Sequence, residues 1–160
     1  MSRIMIICAL AAIFTMPAQA DETLRLRYAA HLTVPYQGQE VGDVDGHIMG
    51  LFSFHGITLL PDGSTGTIRW TGTQEIIKGV GSYLAYANLT FSDGSVLWYK
   101  TAGSQLLDGT KPAYKGPLSV IGGKGRFEGA KGDGTVSGAR IGSTETGADQ
   151  YGELVINVVK

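Results

Sequence analysis

Between Thr23 and Val34 the chain alternates with a period of two. Leu24, Leu26, Tyr28, Ala30, Leu32 and Val34 share one face, and Arg25, Arg27, His31 and Thr33 share the other. Only an extended backbone sends successive side chains to opposite sides, so this segment is expected to be a half-buried β-strand, ended by Pro35. The rhythm recurs along the chain, cut at short intervals by turn-forming residues. Glycine sharpens the reading: all 24 lie beyond residue 20, and in a helix each would cost about 1 kcal/mol. The chain is therefore expected to be all-β and antiparallel.

Further strands are expected from Gly46 to about Leu60, Thr65 to Ile77, Ser82 to Phe91 and Ser95 to Thr101. Tyr114 to Ile121, Arg126 to Gly129, Gly134 to Ile141 and Tyr151 to Val159 complete the set. Pro61-Asp62-Gly63-Ser64 and Ser92-Asp93-Gly94 are turns, because Pro presets φ and Gly accepts a positive one. Tyr36 to Asp45 reads as a loop, as does the stretch holding Asp108-Gly109 and Pro112. About eight short strands at this spacing form a sandwich or a closed barrel. Closure is favoured, since a barrel of about eight strands holds side chains or one small ligand inside.

The N-terminus follows another pattern. Arg3 precedes an apolar run from Ile4 to Met16, followed by Pro17 and the small-residue box Ala18-Gln19-Ala20. This is the form of a cleavable secretory signal peptide, and the run falls short of the ~20 residues that span a bilayer. Residues 1–20 are thus read as signal and 21–160 as one domain, secreted or periplasmic. The single Cys8 leaves with the signal, so no disulfide can form in the mature chain. Without Arg3 the balance is 12 basic to 14 acidic residues. That near-neutral charge, with no basic cluster, argues against nucleic acid as a partner, and no second apolar run suggests a membrane span.

From Val120 to Gly138 the chain is densest in glycine. Gly122, Gly123 and Gly125 allow a tight turn, Phe127 supplies an apolar anchor, and Gly129, Gly132 and Gly134 allow a sharp bend. A phosphate loop is excluded by context, since no helix follows and no Lys-Ser/Thr pair is present. The segment resembles the G-G-x-G-x-F-x-G-A-x-G pattern of the allene oxide cyclase and dirigent superfamily, including its secreted bacterial members. Gly122, Gly123, Gly125, Phe127, Gly129, Ala130 and Gly132 carry the match. The resemblance implies an eight-stranded antiparallel barrel that handles a small hydrophobic molecule, and self-association as a dimer or trimer. The family's working residues do not map onto this chain; Glu22 and Glu40 lie near the start, but in no recognisable motif.

Several side chains invite a chemical reading. Asp43-Val44-Asp45-Gly46-His47 is a dense polar loop, yet it lacks the remaining ligands of a calcium loop. His47 and His55 would share a strand face, but need a third ligand to hold a metal, so no metal site is expected. Glu153 would serve as acid or base only if buried. Asn88-Leu89-Thr90 matches a glycosylation sequon inside a strand. No serine elbow occurs, and no cofactor is implied.

The inward faces are more informative. Trp70 and Gln74 share one face of their strand, Tyr83 lies on an apolar face with Ala85, Ala87 and Leu89, and Tyr99 pairs with Leu97. Tyr28, Trp70, Gln74, Tyr83 and Tyr99 are the expected ligand-binding residues, aromatics giving area and polar tips giving orientation. The expected function is a binding module for a small hydrophobic molecule. Two alternatives stand beside it: an isomerase or cyclase acting in the cavity, and a solid structural barrel that self-associates.

Overall fold

In the computed structural model of the chain, residues 22–109, 111–143 and 146–160 are described. The expected signal peptide lies outside them. Nine strands follow in order: β1 Glu22–Leu32, β2 Gln37–Glu40, β3 His47–Leu59, β4 Thr65–Ile77, β5 Val80–Phe91, β6 Val96–Asp108, β7 Lys111–Lys124, β8 Lys131–Arg140 and β9 Gln150–Val159. Each pairs antiparallel with its neighbours, and β1 pairs with both β9 and β3, which closes eight strands into a barrel. No helix among the described residues is long and apolar enough to cross a membrane.

Closure needs an interruption that the alternation hides. β1 stops at Leu32, and β2 resumes beside the start of β3, so the two lie along different parts of one β3 edge. Pro35 stands between them, where its missing N–H breaks no ladder. The turn at Leu60–Ser64 and the one at Phe91–Ser95 are built alike. Gly63 and Gly94 sit at φ 84° and 81°, and Asp62 and Asp93 accept the N–H of Ser64 and Ser95, each at 2.9 Å. The Asp and Gly therefore occupy a three-residue loop, with Gly in the left-handed region.

Three expectations change. The stretch Tyr36 to Asp45, expected as a loop, holds the short strand β2, because the start of the β3 edge is left free by β1 and pairs with Gln37–Glu40. β6 and β7 run on to a tight hairpin where a loop around Pro112 was expected, with Leu107 opposite Pro112 at its end. Proline is tolerated there because it stands near the end of the ladder. The expected strand from Arg126 to Gly129 is a 3₁₀ turn at Gly125–Phe127, since Gly125 at φ 64° and Gly129 at φ 75° bend the chain out of the sheet.

That turn plugs one end of the barrel. Phe127 is fully buried, its ring centroid 5.0 Å from that of Phe91, and the Arg126 guanidinium covers both rings at 4.6 and 4.8 Å. Ile68, Leu89, Leu97, Leu118, Leu154 and Ile156 fill the space above with under 3% exposure each. The glycine-rich motif thus forms the floor, and the opposite end is open.

Glycine has a second task inside. Gly138 and Gly152 face each other across β8 and β9 and leave room for the Tyr28 hydroxyl. Gly103 and Gly116 lie under the Tyr83 hydroxyl, and the Gly38–Gly50 pair lies under the Tyr36 ring. A β-carbon at Gly138 would stand 2.5 Å from the Tyr151 carbonyl and 2.6 Å from the Tyr114 hydroxyl. Gly138→Ala is therefore expected to destabilise the fold by about 1–3 kcal/mol, the usual cost of overpacking, as read by denaturant unfolding.

Candidate functional site

The open end carries a cavity of about 60 Å³. Phe52, Phe54, Trp70 and Pro112 make its apolar wall, and Gln74, Tyr83, Gln105, Tyr114, Arg140 and Gln150 bring polar groups. These residues come from seven strands and face inward, most of them near the strand ends that meet the opening, with Phe54 and Trp70 opposite each other at mid-strand. Three of the five residues expected from sequence, Trp70, Gln74 and Tyr83, line the cavity.

The other two lie beneath it. Tyr99 is fully buried and accepts a 2.6 Å hydrogen bond from Trp70 Nε1. Tyr28 packs edge-on against the Trp70 ring at 4.7 Å. Its hydroxyl lies 2.6 Å from that of Tyr114 and 3.2 Å from the Ser137 carbonyl. A carbonyl only accepts, so a Tyr28 proton aimed at Ser137 leaves Tyr114 as donor to Tyr28. Tyr28 and Tyr99 thus fix the floor and the pose of Trp70.

The phenols serve here as hydroxyls. Burial pushes Tyr28, Tyr99 and Tyr114 well above the usual tyrosine range, because the charged form loses its hydration. Burial raises Tyr83 too, against a smaller opposing influence from Thr101. Thr101 donates to the Pro117 carbonyl at 2.8 Å, and the buried Tyr83 hydroxyl meets no partner at hydrogen-bond geometry.

At the rim, Gln74 donates to the Tyr36 hydroxyl at 2.8 Å and Gln105 to the Gly79 carbonyl at 3.0 Å. Arg140 closes β8 opposite Gln150 of β9 and is half-buried. Sequence reasoning missed it along with Phe52, Phe54, Gln105, Pro112, Tyr114 and Gln150. A signal was present, since Val136, Gly138 and Arg140 share one parity on their strand and Val136 is apolar.

The remaining candidates lie outside the cavity. Glu153 is 63% exposed and faces Arg27 at 3.4 Å. His31 and His55 stand opposite each other on the outer face of β1 and β3. His47 is buried between two carboxylates, Nδ1 at 2.6 Å from Asp43 and Nε2 at 3.1 Å from Glu75. Carboxylates accept and do not donate, so the arrangement favours the protonated imidazole, in which both ring nitrogens donate. Among the described residues no group of three or more His, Asp or Glu is placed to hold a metal.

No family model matches the chain, and no curated protein matches it. Among solved structures, the pterocarpan synthase dirigent protein PsPTS1 superposes with a TM-score of 0.51 at 15% identity, over 90% of this chain and 97% of that one. For the pterocarpan synthase dirigent protein GePTS1 the TM-score is 0.52 at 15% identity, over 96% and 100%. The fold is that of the dirigent proteins. The resemblance read from the glycine-rich motif is therefore met at the level of the whole dirigent-type barrel, and the motif itself sits at the end remote from the cavity.

Two outcomes follow for the dirigent-type barrel. The bond to Asp43 raises the His47 pKa above 6.5, burial opposes it, and Glu75 adds to the rise; the same bond lowers Asp43 below 3.8. The stability from His47 is complete below pH 6.5 and lost as pH rises through the raised value, whereas that from Asp43 is lost as pH falls through its lowered one. The melting temperature should thus fall as pH rises above 6.5, and His47→Gln should flatten that slope. For the phenols, Tyr99→Phe leaves the Trp70 N–H unpaired and should cost about 1–3 kcal/mol, while Tyr83→Phe removes an unpaired hydroxyl and should leave stability equal or higher. Thermal melts of the two variants check the contrast.

Proposed function

We propose that the protein is an exported barrel, with residues 1–20 as its signal peptide and 21–160 as the mature domain, that binds a small hydrophobic molecule at its open end. One observation carries this reading: a barrel solid at the motif end keeps at the other a cavity that combines aromatic walls with convergent polar side chains. At about 60 Å³ the cavity is smaller than the ~150 Å³ that takes benzene. It therefore holds the narrow end of a ligand whose remainder lies across the mouth. Binding is favoured over isomerase or cyclase chemistry because the lining residues include no carboxylate and burial keeps Tyr83 and Tyr114 protonated, which leaves proton abstraction without a base.

Native mass spectrometry of the protein from its own source tests this. The expected result is a chain starting at Asp21 that carries a small molecule released on unfolding, with the subunit count read from the same spectrum. Phe52→Ala, which opens the half-buried wall, should weaken retention roughly tenfold, the equivalent of about 1.4 kcal/mol. A bare chain in every preparation would overturn the binding reading.

A further inference from the structure

Arg140 sets this cavity apart from an ordinary apolar pocket. The outer arginines Arg27 and Arg126 each face a carboxylate, Glu153 at 3.4 Å and Asp93 at 3.7 Å. Arg140 is half-buried at the cavity wall and, among the described residues, no carboxylate pairs with it. The ionisable groups that act on it are the phenols of Tyr114 and Tyr36. Burial lowers its pKa, but a guanidinium stays protonated in proteins. A charge withdrawn from water without a partner is costly, so its retention calls for an anion that the described residues do not supply.

The shape of that anion follows from the donor. A guanidinium presents a planar fork of N–H groups that matches the two oxygens of a carboxylate. Phe52, Phe54 and Trp70 stand on the same cavity wall; the last two are buried, and half-buried Phe52 offers a flat apolar body stacking or edge contact at the mouth. Gln150, across the β8–β9 pair from Arg140, offers an amide at the same level.

We propose that the ligand is an aromatic carboxylate, its carboxylate the narrow end that enters the cavity to meet Arg140 and its ring lying across the mouth against the half-buried Phe52. This rests on the binding reading above and adds the chemical class. Arg140 is the residue that separates acids from neutral molecules of the same skeleton.

The test is a titration with 3-phenylpropanoate and with 3-phenylpropanol, followed by NMR on the indole N–H of Trp70. Trp98, whose ring lies on the outer face under Lys124, is the internal control. The acid should bind wild-type protein at least tenfold tighter than the alcohol. Arg140→Gln should erase that preference without changing the affinity for the alcohol, and Arg140→Lys should keep part of it. The melting temperature of the free Arg140→Gln protein should equal or exceed that of wild type, because an unpaired charge has been removed. Equal binding of acid and alcohol, unaffected by Arg140→Gln, would overturn the carboxylate assignment and leave the hydrophobic-ligand reading standing. If neither compound moves the Trp70 signal, the binding reading fails and takes the assignment with it. A lower melting temperature for Arg140→Gln would make Arg140 a structural residue and overturn its role.

Discussion

Inside an eight-stranded barrel the space between opposite walls is about two side chains deep, so every inward position competes with those across from it. The chain resolves this competition with glycine. Where a phenol must reach the wall, two neighbouring strands present glycines beneath it, as Gly138 and Gly152 do for the Tyr28 hydroxyl and Gly103 and Gly116 do for that of Tyr83. Where the barrel is to be solid, the same positions carry Leu, Ile or Val, as at Leu89, Leu97 and Ile156. The distribution of glycine along the inward faces thus decides which part of the barrel is full and which holds aromatics around a gap.

The two ends differ in polar chemistry as well as in packing. At the floor, Arg126 covers Phe91 and Phe127 and meets Asp93, and the Ser95 hydroxyl accepts the Arg126 N–H at 3.1 Å. At the mouth, the Tyr83 hydroxyl has no hydrogen-bond partner and, among the described residues, no carboxylate pairs with the Arg140 guanidinium. A sequence that satisfies its polar groups elsewhere and leaves two unmet beside a cavity breaks the local rules where a function would need it to. The clamp of His47 between Asp43 and Glu75 belongs to the same end and ties the approach to β3 onto β4 beside Gln74.

Much of the strand order was legible because alternation is a local property. The inward residues of β1, β4 and β5 follow from parity alone, and Trp70, Gln74 and Tyr83 reach the cavity for that reason. Tyr28 and Tyr99 share that parity but stand one layer deeper, a difference set by how strands are staggered around the closed barrel. Arg140, Gln105 and Tyr114 were hidden by strand ends. Reading the β6–β7 hairpin as a loop removed Gln105 and Pro112 from the inward count, and a lone arginine near a strand end looks like a solvated rim residue.

What the amino-acid order determined by itself is what neighbouring residues settle between them: two-residue alternation, Asp-Gly turns that need positive φ, and a glycine-rich segment unable to continue as a strand. Which inward residues meet was decided by tertiary structure. Residues as far apart as Phe54, Trp70, Tyr114 and Arg140 line one cavity only because β1 pairs with both β3 and β9. Closure sets the stagger that carries Phe127 to the plugged end and places Arg140 at the mouth, where no carboxylate among the described residues pairs with it.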